Sequence, residues 1–209
     1  MRVLIFGDSI TQGYWDTEGG WVDRLRKYYD EKQVQDLSGD EPTIFNLGVS
    51  ADNTEGILER IEHETKVRTR HGNLPIVILQ IGVNDSSLTG NTAQVQLEAY
   101  KQNLRTAIEK IKPLCSKLIF VGSSACDETK TLPVSWGDYY YSNKAIKQYE
   151  DAMREIAEEG KIAFVSVFDR FIAAVNEGRG LLPDGLHPNN EGHEVIFEIV
   201  KSKLTEELV

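Results

Sequence analysis

Cysteine, histidine, basic surplus and long apolar runs are all scarce in this chain of 209 residues. Its two cysteines, Cys115 and Cys126, cannot build the disulfide framework of a small secreted domain. One falls at the end of a helical stretch and the other in a loop, so a single bridge is open to them, but free thiols are the expectation. Lysine and arginine number 23 against 33 acidic residues, a formal net charge of −10. That balance argues against nucleic acid or an anionic membrane as a standing partner. No apolar run approaches the length that spans a bilayer, and Met1 leads directly into a strand pattern. The expectation is a cytoplasmic protein with no transmembrane segment. A phosphate-binding loop is excluded as well. After Gly7 the next loop glycine is Gly13, followed by Tyr14 and by no lysine. Repeats, low-complexity tracts and linkers are absent, so residues 1–209 are expected to form one domain, large enough to bury roughly 70% of its unfolded surface.

What is present alternates. Short apolar runs at Val3–Phe6, Thr43–Leu47, Ile76–Ile81, Lys117–Val121 and Ala163–Val167 read as strands. Between them, Leu97, Tyr100, Leu104, Ile108 and Ile111 recur at helical spacing, as do Ile146, Tyr149, Met153 and Ile156. A last helix begins near Asn190 and carries Val195, Ile196, Ile199 and Val200. Strand runs alternating with amphipathic segments predict an α/β fold of three layers, with a five-stranded parallel sheet covered on both faces.

Chemistry-bearing residues gather where such a sheet ends. The first strand runs into Gly7-Asp8-Ser9, which aims the Ser9 hydroxyl beyond the strand's carboxyl end. A serine alone is a weak nucleophile and needs a base, an orienting carboxylate and oxyanion donors. Near the other end of the chain Asp184 and His187 are separated only by Gly185 and Leu186. In so short a loop the carboxylate can hold one ring nitrogen while the other faces a hydroxyl, the logic of a Ser-His-Asp triad. Two more turns follow strands. Gly48, without a side chain, lets a backbone N–H approach a ligand, and Asn84, in Gly82-Val83-Asn84-Asp85, carries a neutral donor. The expected oxyanion hole is therefore Ser9 N–H, Gly48 N–H and the Asn84 amide. Each residue has an ordinary reading too: Ser9 and Asn84 as helix caps, Asp184 and Gly48 as turn formers, His187 as a surface residue. Those readings must coincide in order along the chain to account for the pattern.

Together GDSIT with Ser9, NLGVSADNT with Gly48, GVND with Asn84 and DGLHP with Asp184 and His187 resemble the GDSL-type, or SGNH, hydrolase family over residues 2–197. The resemblance implies a flavodoxin-like fold, no cofactor, and esterase, lipase, thioesterase or carbohydrate-deacetylase activity on a small-molecule ester. It carries the family's Ser, Gly, Asn and His onto Ser9, Gly48, Asn84 and His187, and its triad Asp onto Asp184. Ile10 replaces the usual Leu, and Ala51 stands where many members have a second Gly; alanine resists positive φ where glycine does not.

One segment, Ser123–Ser142, is long for a strand-to-helix connection and carries Trp136, Tyr139, Tyr140 and Tyr141. It reads equally as a lid or pocket wall and as aromatics packed on the body or on another subunit, so a homo-oligomer is left open. Tyr14, Trp15 and Trp21 follow the Ser9 turn, where core packing competes with pocket lining. Asp8, Tyr14, Trp136 and Tyr139 are the candidates for touching substrate, while Asp8 and Asp85 also suit a role in holding loops through backbone N–H groups. His63 and His71 fall in a charged stretch and are expected to be solvated. The sequon Asn84-Asp85-Ser86 overlaps the site and reads as coincidence. A metal-dependent hydrolase recruiting Asp8, Asp184, His187 and His193 leaves Ser9, Gly48 and Asn84 without purpose, so no metal is expected. A ligand-binding module that keeps the fold without turnover is the remaining rival.

Overall fold

The computed structural model describes residues 1–69 and 72–208. In chain order the elements are β1 (Arg2–Gly7), α1 (Ser9–Gln12), α2 (Gly20–Gln35), β2 (Thr43–Gly48), α3 (Thr54–Arg68), β3 (Ile76–Gln80), β4 (Leu88–Thr89), β5 (Thr92–Ala93) and α4 (Leu97–Ile111). They continue as β6 (Lys117–Val121), α5 (Glu128–Thr131), α6 (Asn143–Gly160), β7 (Ala163–Val165), α7 (Phe168–Asn176) and α8 (Asn190–Leu208).

Five strands form one parallel sheet in the order β2-β1-β3-β6-β7. Because alternate side chains of a strand point to opposite faces, a continuous apolar run serves two cores at once. Val3 and Ile5 of β1 join Ile76 and Ile78 of β3 in a core with Trp21, Leu25 and Tyr29 of α2, Phe171 of α7 and Ile196 and Val200 of α8. Leu4 and Phe6 join Val77 and Leu79 in a second core with Ile57 and Ile61 of α3, Tyr100 and Leu104 of α4, and Met153 and Ile156 of α6. The predicted three-layer α/β architecture is thus the observed one, with a flavodoxin-like strand order.

Edges differ by a residue or two. The apolar run at 163–167 ends as strand at Val165, because Val167 caps α7, whose buried Phe168, Phe171 and Ala174 recur at helical spacing. A strand followed so closely by a helix reads as one apolar run in sequence. Ile81 likewise falls beyond β3. Both cysteines are free and buried, and burial pushes each thiol up to about 11, as inert core residues. His63 is exposed on α3 as expected; His71 lies outside the described residues. Among the described residues no helix is long and apolar enough to cross a membrane.

The chain leaves β1 for β2 at one edge and returns past it to β3, so the loops after β1 and β3 part on opposite sides of the sheet. Crevices at such a switch point are where open α/β sheets bind ligands. Ser9 follows β1 and Asn84 follows β3.

Candidate active site

Ser9 opens α1 directly after β1. Asp8 is the residue that caps this short helix, its Oδ1 accepting from Ile10 N at 2.9 Å, which leaves the Ser9 hydroxyl uncommitted to capping. The loop after α7 carries the other half of the site. Asp184 Oδ1 accepts the backbone N–H groups of Leu186 (2.9 Å) and His187 (2.8 Å), and Gly185 turns at φ 94, a conformation that suits glycine. The loop is braced from Ser123–Ser142, where Asp127 N–H donates to Gly185 O at 2.8 Å.

These two loops meet. Ser9 Oγ lies 3.0 Å from His187 Nε2, and His187 Nδ1 lies 2.7 Å from Asp184 Oδ2. Ser9 and His187 are only 7% and 8% exposed. Burial alone would raise the Asp184 carboxyl; hydrogen bonds from the His187 ring and from the His187 and Leu186 N–H groups outweigh it and hold the carboxyl at about 2. An ionised carboxylate only accepts, so Nδ1 carries the ring proton and Nε2 presents its lone pair to the Ser9 hydroxyl. That arrangement can take a proton from the serine as its oxygen attacks an acyl carbon.

Donors flank the serine. Asn84 sits in the turn after β3, fixed on both sides: Nδ2 donates to Asp52 O at 2.8 Å, and Oδ1 accepts from Tyr141 OH at 3.2 Å. One Nδ2 hydrogen remains. Buried at 5% exposure and so engaged, Asn84 leaves no room for a glycan at its sequon. Gly48 does not supply a donor as expected. Its N–H donates to Asn46 Oδ1 at 3.0 Å, a β-carbon there would run into the backbone of Gln12, and it does not line the cleft. Ala51, three residues on, lines the cleft instead. Its φ is 65, so the alanine adopts the left-handed turn that a glycine would take, at a strain on the order of 1 kcal/mol. Among the described residues, neither Ser9 N–H nor Ala51 N–H has an acceptor in the protein.

The cleft measures about 330 Å³ and is walled by Tyr14, Trp15, Trp136, Tyr141 and Leu186 around the Ser9–His187 pair. The rings of Tyr14 and Trp136 lie 4.9 and 5.7 Å from the His187 ring. Two of the expected substrate contacts are corrected. Asp8 is buried beneath α1, where desolvation pushes its carboxyl up to about 7, and Tyr139 lies outside the cleft lining. The long loop divides its aromatics: Trp136 and Tyr141 face the cleft, whereas Tyr140 exchanges backbone hydrogen bonds of 2.9 Å with Leu88 of β4.

Sequence reasoning did not find the roles of Ala51, Tyr141 and Trp15. The Trp15 indole N–H donates to Asp184 Oδ2 at 2.7 Å across 169 positions, and no local pattern signals such a bond. His193 is fully buried and neutral, burial lowering its imidazole to about 4. It accepts from Trp21 N–H through Nδ1 and donates from Nε2 to Tyr14 O, each at 3.3 Å. With both ring nitrogens engaged there and Asp8 turned into α1, the residues that a metal-ion reading needs do not converge. Among the described residues no three histidine, cysteine, aspartate or glutamate side chains form such a group.

Known proteins share this chain's pattern along almost its full length. The GDSL-like Lipase/Acylhydrolase family model matches residues 5–195. A GDSL esterase/lipase of Arabidopsis thaliana is 28% identical, covering 99% of this chain and 86% of that protein. The isoamyl acetate-hydrolyzing esterase of Saccharomyces cerevisiae is 25% identical over 94% of this chain and 83% of its own length. Among solved structures, the lipase/acylhydrolase from Enterococcus faecalis superposes with a TM-score of 0.75 at 21% identity, covering 99% and 96% of the two chains. Axe2, an acetylxylan esterase from Geobacillus stearothermophilus, superposes at 0.71 with 20% identity over 97% and 93%. With the fold, the switch-point cleft and this match in agreement, the chain belongs to the GDSL-like lipase/acylhydrolase family and is a hydrolase of ester bonds.

Proposed function

We propose that the protein is a serine esterase that cleaves carboxylic esters of small, short-chain acyl groups by two-step acyl transfer. The continuous hydrogen-bond path from Ser9 through His187 to Asp184, at 3.0 and 2.7 Å inside the cleft, carries this reading. Ser9 Oγ attacks the ester carbonyl as His187 Nε2 takes its proton, while Asp184 stabilises the imidazolium. Negative charge develops on the former carbonyl oxygen, facing Ser9 N–H, Ala51 N–H and the remaining Asn84 Nδ2 hydrogen. His187 then gives its proton to the departing alkoxide, leaving an acyl-serine. Water, deprotonated by the same nitrogen, attacks that acyl group and frees the acid and Ser9.

A cleft of about 330 Å³ is near the lower end for small-molecule sites, which favours a short acyl chain. Its mouth is ringed by Tyr14, Trp15 and Trp136, each 44% exposed or more, and flat exposed aromatics suit a sugar ring. That observation favours carbohydrate O-deacetylation as the second reading. Ser9→Ala is expected to abolish hydrolysis of p-nitrophenyl acetate while the fold, read by circular dichroism, is kept. Full turnover by that variant would refute the nucleophile. A series of acyl esters of graded length, run beside acetylated sugars, is expected to show highest kcat/KM at two to four acyl carbons.

A further inference from the structure

Trp15 is the most exposed large aromatic side chain at the cleft, at 57%, yet it is placed with unusual care. Its φ is 65, a left-handed conformation that a bulky residue rarely adopts and that marks a functional constraint when neighbouring structure enforces it. Enforcement comes from both sides. Tyr14 O is held by His193 of α8, which also holds Trp21 N–H, so one buried imidazole spans the loop. On the other side, Asp16 accepts Glu18 N–H at 2.9 Å and Gly20 N–H at 3.0 Å and pairs with Arg24 of α2. Residues 14 and 16 are thus fixed to the body, and the left-handed turn between them carries the indole out over the Asp184 loop.

There its N–H meets Asp184 Oδ2 at 2.7 Å, the same oxygen that receives His187 Nδ1. Asp184 Oδ1 is filled by two backbone donors, so Oδ2 is the oxygen whose position decides how the imidazole is aimed at Ser9. Resting on the triad reading above, we infer that Trp15 is a positioning residue: its indole N–H locks the Asp184 carboxylate and, through it, the orientation of His187. A charge-assisted bond to a carboxylate is among the stronger hydrogen bonds, and misorienting a general base lowers the rate of the chemical step rather than the affinity for substrate.

Two replacements at position 15 test this. Trp15→Phe keeps an aromatic wall, and 3-benzothienylalanine keeps the indole outline with sulfur in place of N–H. Both are expected to lower kcat on p-nitrophenyl acetate by about 10- to 100-fold, with KM within about threefold. Both should also displace the acid limb of the kcat/KM profile upward, because a carboxylate relieved of one donor has more charge to share with the imidazolium. If Trp15 is only a wall, the isostere keeps kcat and its pH profile and Trp15→Phe changes KM alone; that result overturns the inference. Should Trp15→Phe fail to fold, the isostere decides by itself. Ser9→Ala separates the two levels. Full kcat in the isostere of an enzyme that Ser9→Ala inactivates refutes Trp15's role alone, whereas activity surviving Ser9→Ala refutes the triad.

Discussion

In the proposed reaction Ser9 is free to attack because its neighbours are each occupied elsewhere. Asp8 caps α1, Asp184 takes two backbone N–H groups, and Asn84 is gripped by Asp52 and Tyr141, so none competes for the hydroxyl. Asn84→Ala removes the side-chain donor proposed for the oxyanion and is expected to cost roughly 100- to 1000-fold in kcat with little change in KM. Steady-state kinetics with p-nitrophenyl acetate measures it; a change confined to KM would contradict the assignment. Asp8 predicts a stability effect instead. Its carboxyl is raised from 3.8 to about 7, chiefly by burial, so the folded protein penalises the charged form and loses stability as pH rises through that window. Asp8→Asn keeps a capping oxygen without the charge. Relative to the native chain it should gain little at pH 4 and on the order of 2 to 4 kcal/mol by pH 8. Urea unfolding at the two pH values reads the difference, and equal gains at both would contradict it. At this scale Ser9, Asn84, Asp184 and His187 were legible because each follows a strand or shares a short loop. Ala51 was marked only as standing where many family members have a glycine, and its N–H went unconsidered because the nearby Gly48 is the more obvious donor.

Elements carry these residues to one place through tethers between segments far apart in the chain. The loop 13–20 is fastened to α8 by His193, and the loop 123–142 is fastened to the ribbon of β4 and β5 through Tyr140 and to Asn84 through Tyr141. His193 has its imidazole lowered from 6.5 to about 4 by burial, so the unfolded chain binds a proton that the folded one refuses. Its contribution is full above pH 6.5 and is lost as pH falls toward 4. His193→Gln, which cannot take up that proton, should be less stable than the native chain at pH 7. The gap should narrow by a few kcal/mol at pH 4. A gap that holds constant in thermal unfolding across this range would contradict the tether. The sheet strands were legible because each is an apolar run serving two cores, and α4 and α6 because their stripes are long. The start of α2 is hidden by Gly19 and Gly20 at φ 86 and 82, and α7 by the apolar run it shares with β7.

For the whole molecule, the loops after β1, β2, β3 and β6 gather with the loop after α7 around one cleft, and Ser9 meets His187 there across 178 positions. The parallel sheet could be expected from the alternation of runs and its strand order from the family resemblance, whereas the floor and walls of the cleft could not, because they depend on how long loops fold back. No step of the proposed reaction uses a metal ion, so a chelator should leave p-nitrophenyl acetate hydrolysis unchanged, and a loss of rate restored by added metal would argue for the other hydrolase class. The most direct test of the account is covalent labelling with a fluorophosphonate, followed by intact-mass and peptide mass spectrometry. One adduct per chain is expected, on Ser9, with esterase activity lost in proportion and no labelling after His187→Ala. An adduct on another residue, or full labelling of Ser9 with undiminished turnover, would contradict it.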